Sequence, residues 1–330
     1  MIGDYSLFEA GLFMGIVALS LWTDLKAHTR DEAVSVRSAA LWSGFWILLA
    51  FAFSGYVGAT HGWGDASLFL TGYILEKSLS VDNLFVIMAI FSSFCIKDAF
   101  QHRVLYYGIL GALALRLVFV AAGSTLVMIG GKYVLGFFGL FVLWSAYKMW
   151  KETGGDDGEI EDYTDHFSVR WTKKFFPVHP FMKGHDFFTR ENGRLHATPL
   201  FLCLVCVEIA DVMFAFDSVP AVIAVTQKPF LVYTSNIFAI LGLRSLYFLL
   251  AAAKRYLCHL EKAVIGILVF IGLKMLVDVA GIVHISPQVS LTVVSTLLAF
   301  GIIGSYMFPE PLPAAEHADR CTTPDSGQGD

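Results

Sequence analysis

Charge is scarce in this chain. Of 330 residues only 15% are Asp, Glu, Lys or Arg, against 56% hydrophobic, a balance that no soluble domain of this length sustains. Ten-residue stretches of alternating hydrophobicity are also missing, which excludes a transmembrane β-barrel. The first four residues, Met1-Ile-Gly-Asp4, carry no base, and no small-residue cleavage motif follows the first apolar run. That run is therefore expected to be a retained span and not a signal peptide. No Walker A sequence or ATPase domain is present, which removes nucleotide hydrolysis as a source of energy. Cysteines number five and are scattered at 95, 203, 206, 258 and 321. The pair Cys203-x-x-Cys206 falls in an apolar segment without a βαβ context, so two packed thiols are expected there and not a redox centre.

Apolar runs recur along nearly the whole chain, and they predict an all-α polytopic membrane protein of about nine transmembrane helices. Residues 1–60 hold two leading spans. Residues 67–150 hold three more, and 151–196 form a long polar loop. A second set of three occupies 197–283, a last span covers 289–307, and a polar tail at 308–330 is expected to be disordered. Within the loop, an acidic run at 156–162 is expected to be flexible. The basic, aromatic stretch at 170–177 is expected to lie on the membrane surface or against the core. Placing the N-terminus outside and the C-terminus in the cytoplasm puts 16 of the 23 Lys and Arg residues inside, 2 outside and 5 within spans. Every loop then obeys the positive-inside rule, as expected of a bacterial inner-membrane protein.

The few charges inside the spans are not scattered. Glu208-Ile-Ala-Asp211-Val-Met-Phe-Ala-Phe-Asp217-Ser218-Val-Pro220 places three acids within ten residues of an apolar segment. Each ionised carboxylate in lipid costs roughly 2.5–3.5 kcal/mol on insertion scales, so such acids need partners or a task. A second copy lies upstream in Glu76-Lys77-Ser78-Leu79-Ser80-Val81-Asp82-Asn83. Aligning Asp82 with Asp217 sets Glu76 opposite Asp211 and Asn83 opposite Ser218. The match continues, because Gly111-Ala-Leu-Ala-Leu-Arg116 parallels Ile240-Leu-Gly-Leu-Arg244, and Lys148-Met149-Trp150 parallels Lys274-Met275-Leu276. Three spans per unit is an odd number, so the second unit is expected to enter the bilayer in the opposite sense. That is the inverted repeat shared by many secondary transporters that bind ions near the midplane.

Spacing constrains how the acids could act. Residues seven apart share a helix face, so Glu76 with Asn83, and Asp211 with Ser218, form two rows. A six-residue step leaves Asp82 about 120° from Glu76. Both acids reach one ion only if the helix loosens between them or the ion is shared with the opposite unit. Pro220 lacks an N–H and leaves the Phe216 carbonyl without its helical donor. Oxygen donors alone favour a hard divalent ion such as Mn²⁺, Mg²⁺ or Ca²⁺ over Cu⁺ or Zn²⁺, and the residues do not choose among them. The expected metal ligands are Asp82, Asp211 and Asp217, supplemented by Glu76, Asn83, Glu208 and Ser218, with Asn236 able to add an oxygen. The competing structural account is pairing, since Lys77, Arg116, Lys148, Arg244 and Lys274 match the five acids in number. For Arg116 and Arg244, holding a carboxylate is the expected role. His179, His185 and His196 are expected to be surface residues, with metal sensing as the lesser alternative.

Glu76-Lys-Ser-Leu-Ser-Val-Asp-Asn83 resembles the first signature of the TerC/Alx membrane proteins. Thr198-Pro-Leu, Glu208-x-x-Asp211-x-x-Phe-Ala-x-Asp217-Ser-x-Pro220 and Thr234-Ser-Asn236-Ile-Phe-Ala-Ile-Leu-Gly-Leu-Arg244 resemble the second. The resemblance covers about residues 67–283, and the long loop and two leading spans fit the longer, Alx-like members. It implies membership of the LysE-type exporter superfamily, a link to tellurite resistance, and manganese export or metal loading of exported proteins. Mn²⁺ as the transported ion is implied by the resemblance and not by spacing.

The resulting expectation is a non-enzymatic exporter of a divalent metal ion, exchanging it for protons and holding no permanent cofactor. Its partners would be the lipid bilayer and the metal ion, not nucleic acid, with soluble or membrane proteins as further candidates. Two alternatives remain: a scaffold or redox-stress protein acting through partners at the 151–196 loop, and an exporter of small organic solutes whose arginines bind an anionic group.

Overall fold

The computed structural model describes residues 5–27, 35–96, 98–153, 167–175, 177–179, 186–191, 194–253, 260–283 and 285–307. The side chains of Asp82 and Asp217 lie outside the described residues. So do the acidic run at 156–162, His185 and the tail at 308–330.

Ten helices and one short hairpin make up what is described. The helices are α1 (Leu7–Ala27), α2 (Val36–His61), α3 (Trp63–Ser93), α4 (Asp98–Thr153), α5 (Phe167–Phe175), α6 (Pro199–Thr226), α7 (Pro229–Ile240), α8 (Leu243–Ala253), α9 (Leu260–Val279) and α10 (Pro287–Met307). Four are long and apolar enough to cross a membrane, namely α2, α4, α6 and α10, or five if the bent pair α7–α8 is one span. Both α3 and α9 have the length but carry more charge within it, Glu76, Lys77 and Asp82 on one and Glu261, Lys262, Lys274 and Asp278 on the other.

Local chemistry sets the ends of these elements. Ser35 caps α2 by accepting from the Ser38 N–H at 3.2 Å, and proline occupies the first turn of α6 and α7, where a missing N–H costs nothing. Gly131, at φ 49° and ψ −131°, divides α4 into two limbs. In the second set of three, α7 and α8 are broken at Leu241–Gly242 and bend by 47°.

Connections sort to two ends. Asp65, at the start of α3, takes two hydrogen bonds of 2.7 Å from the ammonium of Lys228, between α6 and α7. Beyond the other end of α3, the Arg103 guanidinium lies 3.8 Å from Asp186 and 5.0 Å from the Phe187 ring. Asp65 with Lys228 thus pairs at the start of α3, and Arg103 with Asp186 beyond its other end.

The polar loop holds more structure than its composition suggested. Two antiparallel strands, β1 (Phe188–Glu191) and β2 (Arg194–Ala197), pair Phe188 with Ala197 and Glu191 with Arg194. The hairpin leads into α6 through Thr198, whose hydroxyl donates to the Asp186 carbonyl at 2.7 Å. Helix α5 buries Val169 among Ile90, Phe91, Val104, Leu200 and Cys203 and exposes Trp171. Within the 170–177 stretch, Thr172 is likewise buried.

Apolar packing then fixes the centre. One cluster joins α3, α4, α6, α9 and α10 around Leu75, Val142, Val222, Ile267 and Val294. A second joins α1, α2, α3 and α7 around Trp46, Phe53, Phe69 and Phe238. Helix α3 contributes to both clusters and α6 to the first.

Candidate metal site

Helix α3 is unbroken from Glu76 through Asp82, and α6 is unbroken from Asp211 through Asp217. Neither loosens, so the six-residue step keeps its angular offset and one ion cannot be gripped by both acids of one helix. Of the two arrangements that spacing allowed, the helices leave the one shared between the halves.

The halves meet at Arg116, on the first limb of α4. Its guanidinium is 2% exposed and pairs with Glu76, which is fully buried. The same Nη1 donates to Asn236 Oδ1 at 2.9 Å, and Nη2 lies 4.0 Å from Asp211 Oδ1. The last separation is too long for a hydrogen bond but electrostatically favourable in so dry a place. One cation of α4 thus gathers an acid of α3 with an acid of α6 and an amide of α7. Pairing accounts for part of what these acids do, as the structural alternative anticipated.

It does not account for all of it. Among the described residues, Glu76 Oε2, Asp211 Oδ2 and Ser218 Oγ are buried without a hydrogen-bond partner. Buried oxygens are ordinarily satisfied, and leaving one unmet costs about 1–3 kcal/mol, more when it is charged. Each is a hard donor of the kind such cations take, with Ser218 about 10 Å along α6 from Asp211.

Glu208 is placed by an absence of side chain. Its carboxylate lies where a Cβ on Gly111 would stand, so a side chain at that point of α4 would displace it. Beside it is a recess of about 370 Å³, its open mouth included, lined by apolar residues such as Leu84, Leu105, Ala112 and Val207, with Asp211 as its one acid. Asn83 is buried. Among the described residues no three of His, Cys, Asp and Glu stand together as a metal cluster, and the described acids of the expected set are Glu76, Glu208 and Asp211.

The bases divide in a way their spacing did not reveal. Arg116 holds a carboxylate, as expected. Arg244 donates to His102 Nδ1 at 2.9 Å, an acceptor by necessity since a guanidinium only donates; the carboxylates of Asp82 and Asp217 lie outside the described residues. Lys77, one residue from Glu76, gives its ammonium to two backbone carbonyls, Ala239 O at 3.1 Å and Leu241 O at 3.4 Å. Cys203 and Cys206 are buried and outside any disulfide, in line with packing. His179 is buried, against the expectation of a surface residue; its backbone N–H joins the Ala197 carbonyl at 2.8 Å, which draws it under the hairpin.

With this geometry described, likeness to known proteins can be weighed. Residues 61–311 match the integral membrane protein TerC family. The tellurium resistance protein TerC of Serratia marcescens is 48% identical over 324 residues, covering 90% of this chain and 93% of that protein. An uncharacterised membrane protein of Myxococcus xanthus is 39% identical, covering 94% and 97%. The Escherichia coli K12 protein Alx, named as a candidate membrane-bound redox modulator, is 42% identical, covering 89% and 92%. No solved structure matches the chain.

Proposed function

We propose, for a chain that belongs to the TerC family of integral membrane proteins, export of a hard divalent cation, with Mn²⁺ the leading substrate, through a carboxylate site between two inverted three-helix units. The upstream unit is α3 with the two limbs of α4, and the downstream unit is α6 with the bent α7–α8 and α9. With α1, α2 and α10 this is a nine-span protein with its N-terminus outside. The observation that carries the reading is the convergence of Glu76 and Asp211, from matching motif positions, on one buried guanidinium, each with an oxygen still unpartnered.

In the metal-free state Arg116 supplies the positive charge that the two acids require. A divalent ion entering between them offers twice that charge and can satisfy the open oxygens of Glu76 and Asp211, while Asp82, Asp217 and Ser218, nearly two turns further along α3 and α6, supply a second stop on its path. The guanidinium then retains Asn236 as an acceptor. The recess that ends at Asp211 is lined from α4 by residues between Leu105 and Ala112, nearer the cytoplasmic end in this orientation, which suits entry from inside. Mn²⁺ is favoured by the family resemblance, and tellurium resistance, named for the relative, would follow indirectly from metal balance. With no ATPase domain, ion release is coupled to protons taken up by the vacated carboxylates. No step requires covalent catalysis.

Cell manganese content under manganese challenge tests this reading. Wild type should keep it low, while Asp211→Asn, Asp82→Asn and Asp217→Asn should accumulate the metal. Variants that match wild type, together with loss of resistance on deleting residues 155–165, would instead point to the scaffold account. In proteoliposomes, metal flux that ignores a pH gradient would remove the proton coupling.

A further inference from the structure

The break between α7 and α8 leaves backbone carbonyls without helical donors. At Leu241 the backbone turns extended (φ −58°, ψ 129°), and Gly242 follows at φ 79°. Trp46 of α2 packs so closely on Gly242 that a Cβ there would overlap the indole, which seats the break against a rigid neighbour. The freed carbonyls of Ala239 and Leu241 converge on the Lys77 ammonium. In a bilayer interior no water repairs such a break, and irregular backbone survives only where protein satisfies it.

The placement of Lys77 is informative because Glu76 precedes it and is paired elsewhere, with Arg116. Consecutive residues on α3 thus send opposite charges to different targets, and the ammonium goes to carbonyls 162 and 164 residues away. An ammonium opposite the carbonyl end of a helix also meets the negative pole of its dipole. Asn236, which accepts from Arg116, lies on the last turns of α7 before the break, and Arg244 lies just beyond it. The angle at Leu241–Gly242 therefore sets where both side chains stand.

We propose that the Ala239 and Leu241 carbonyls form a monovalent-cation site that the chain fills with its own Lys77 ammonium, and that this tethered cation is the positioning element holding Asn236 on Arg116. Its bearing on transport rests on the metal-ion reading above, whereas the occupancy of the carbonyl pair does not.

Thermal unfolding of the full chain in lipid nanodiscs tests it. Lys77→Ala should unfold several degrees lower than wild type and recover most of that loss, saturably, with n-propylammonium but not with choline at equal ionic strength. Wild type should respond to neither. Lys77→Arg should stay near wild type, while Lys77→Met, which keeps the stem and loses the charge, should fall with Lys77→Ala. If Lys77→Ala does not fold, the Arg and Met variants decide alone. Equal stability of Met and Arg, or a loss in Lys77→Ala that propylammonium leaves untouched, overturns the proposal. In proteoliposomes, Lys77→Met should raise the apparent KM for Mn²⁺ about tenfold or more, the cost of losing roughly 1.4 kcal/mol of positioning. A wild type that carries no Mn²⁺ would remove the metal reading and leave the unfolding result standing.

Discussion

Arg116 Nη1 and Asn236 Oδ1 meet at 2.9 Å across 120 residues of chain. Asn236 is oriented for this by its other end, since Nδ2 donates to the Val232 carbonyl one turn back at 3.0 Å, which leaves only the oxygen to face the guanidinium. Asn236→Leu removes the acceptor and keeps the volume, so Arg116 loses a charge-assisted hydrogen bond worth roughly 1.5–3 kcal/mol. Denaturation in nanodiscs should show that loss. A change below a few tenths would mean that the amide is not a working part of the site.

The pair of Arg116 with Glu76 should be strongly non-additive. Arg116→Met leaves a fully buried carboxylate alone, a defect that costs about 3–5 kcal/mol. Glu76→Gln by itself removes the charge from one side only. In the double variant neither group demands a counter-charge, so much of the Arg116→Met loss should return. A double-mutant cycle on unfolding free energies measures this, and simple additivity of the two losses would contradict the pairing.

Much of this was legible in the residues. Apolar runs fixed where helices lie, Pro199 and the Gly130-Gly131 pair marked a start and a turn, and two acidic motifs at matching positions pointed to α3 and α6. The break at Gly242 was not legible, because Leu-Gly-Leu inside an apolar run reads as continuous helix. What demands glycine there is Trp46, almost 200 residues away. The role of Lys77 was hidden for the same reason, since its partners are backbone atoms that carry no residue type. The hairpin had a local signal that composition masked: Asn192-Gly193 stands between Glu191 and Arg194, and that dipeptide favours two-residue hairpin turns.

Glycine 111 gives a prediction about packing. Its Cα faces the Glu208 carboxylate, so Gly111→Ala must push α4 from α6 or evict the acid. Overpacking of this kind costs typically about 1–3 kcal/mol. Glu208→Ala vacates the space, and adding it to Gly111→Ala should recover stability although Glu208→Ala alone should not raise it. Unfolding midpoints of the three variants decide this, and a Gly111→Ala protein as stable as wild type would place Glu208 elsewhere.

The last prediction concerns the end of the molecule where Asp65 collects three hydrogen bonds from two donors. Lys228 gives two hydrogen bonds of 2.7 Å, and the Tyr5 hydroxyl gives a third of 2.7 Å to Oδ2. Tyr5 also stacks on Phe230, with ring centroids 4.3 Å apart, so the carboxylate ties the start of α1 to α3 and α7 together. Tyr5→Phe keeps the stacking and should cost about 1 kcal/mol, the net worth of an ordinary hydrogen bond. Lys228→Met should cost a similar or smaller amount, because its side chain is 39% exposed and solvent screens a partly open pair to about 1 kcal/mol or less. Only the Lys228 loss should shrink at about 1 M salt, where the Debye length falls to about 3 Å. Asp65→Asn weakens both contacts at once, so combining it with either partner variant should add little. Full additivity would show that the three groups act separately and that the start of α1 is held by its aromatic contacts alone.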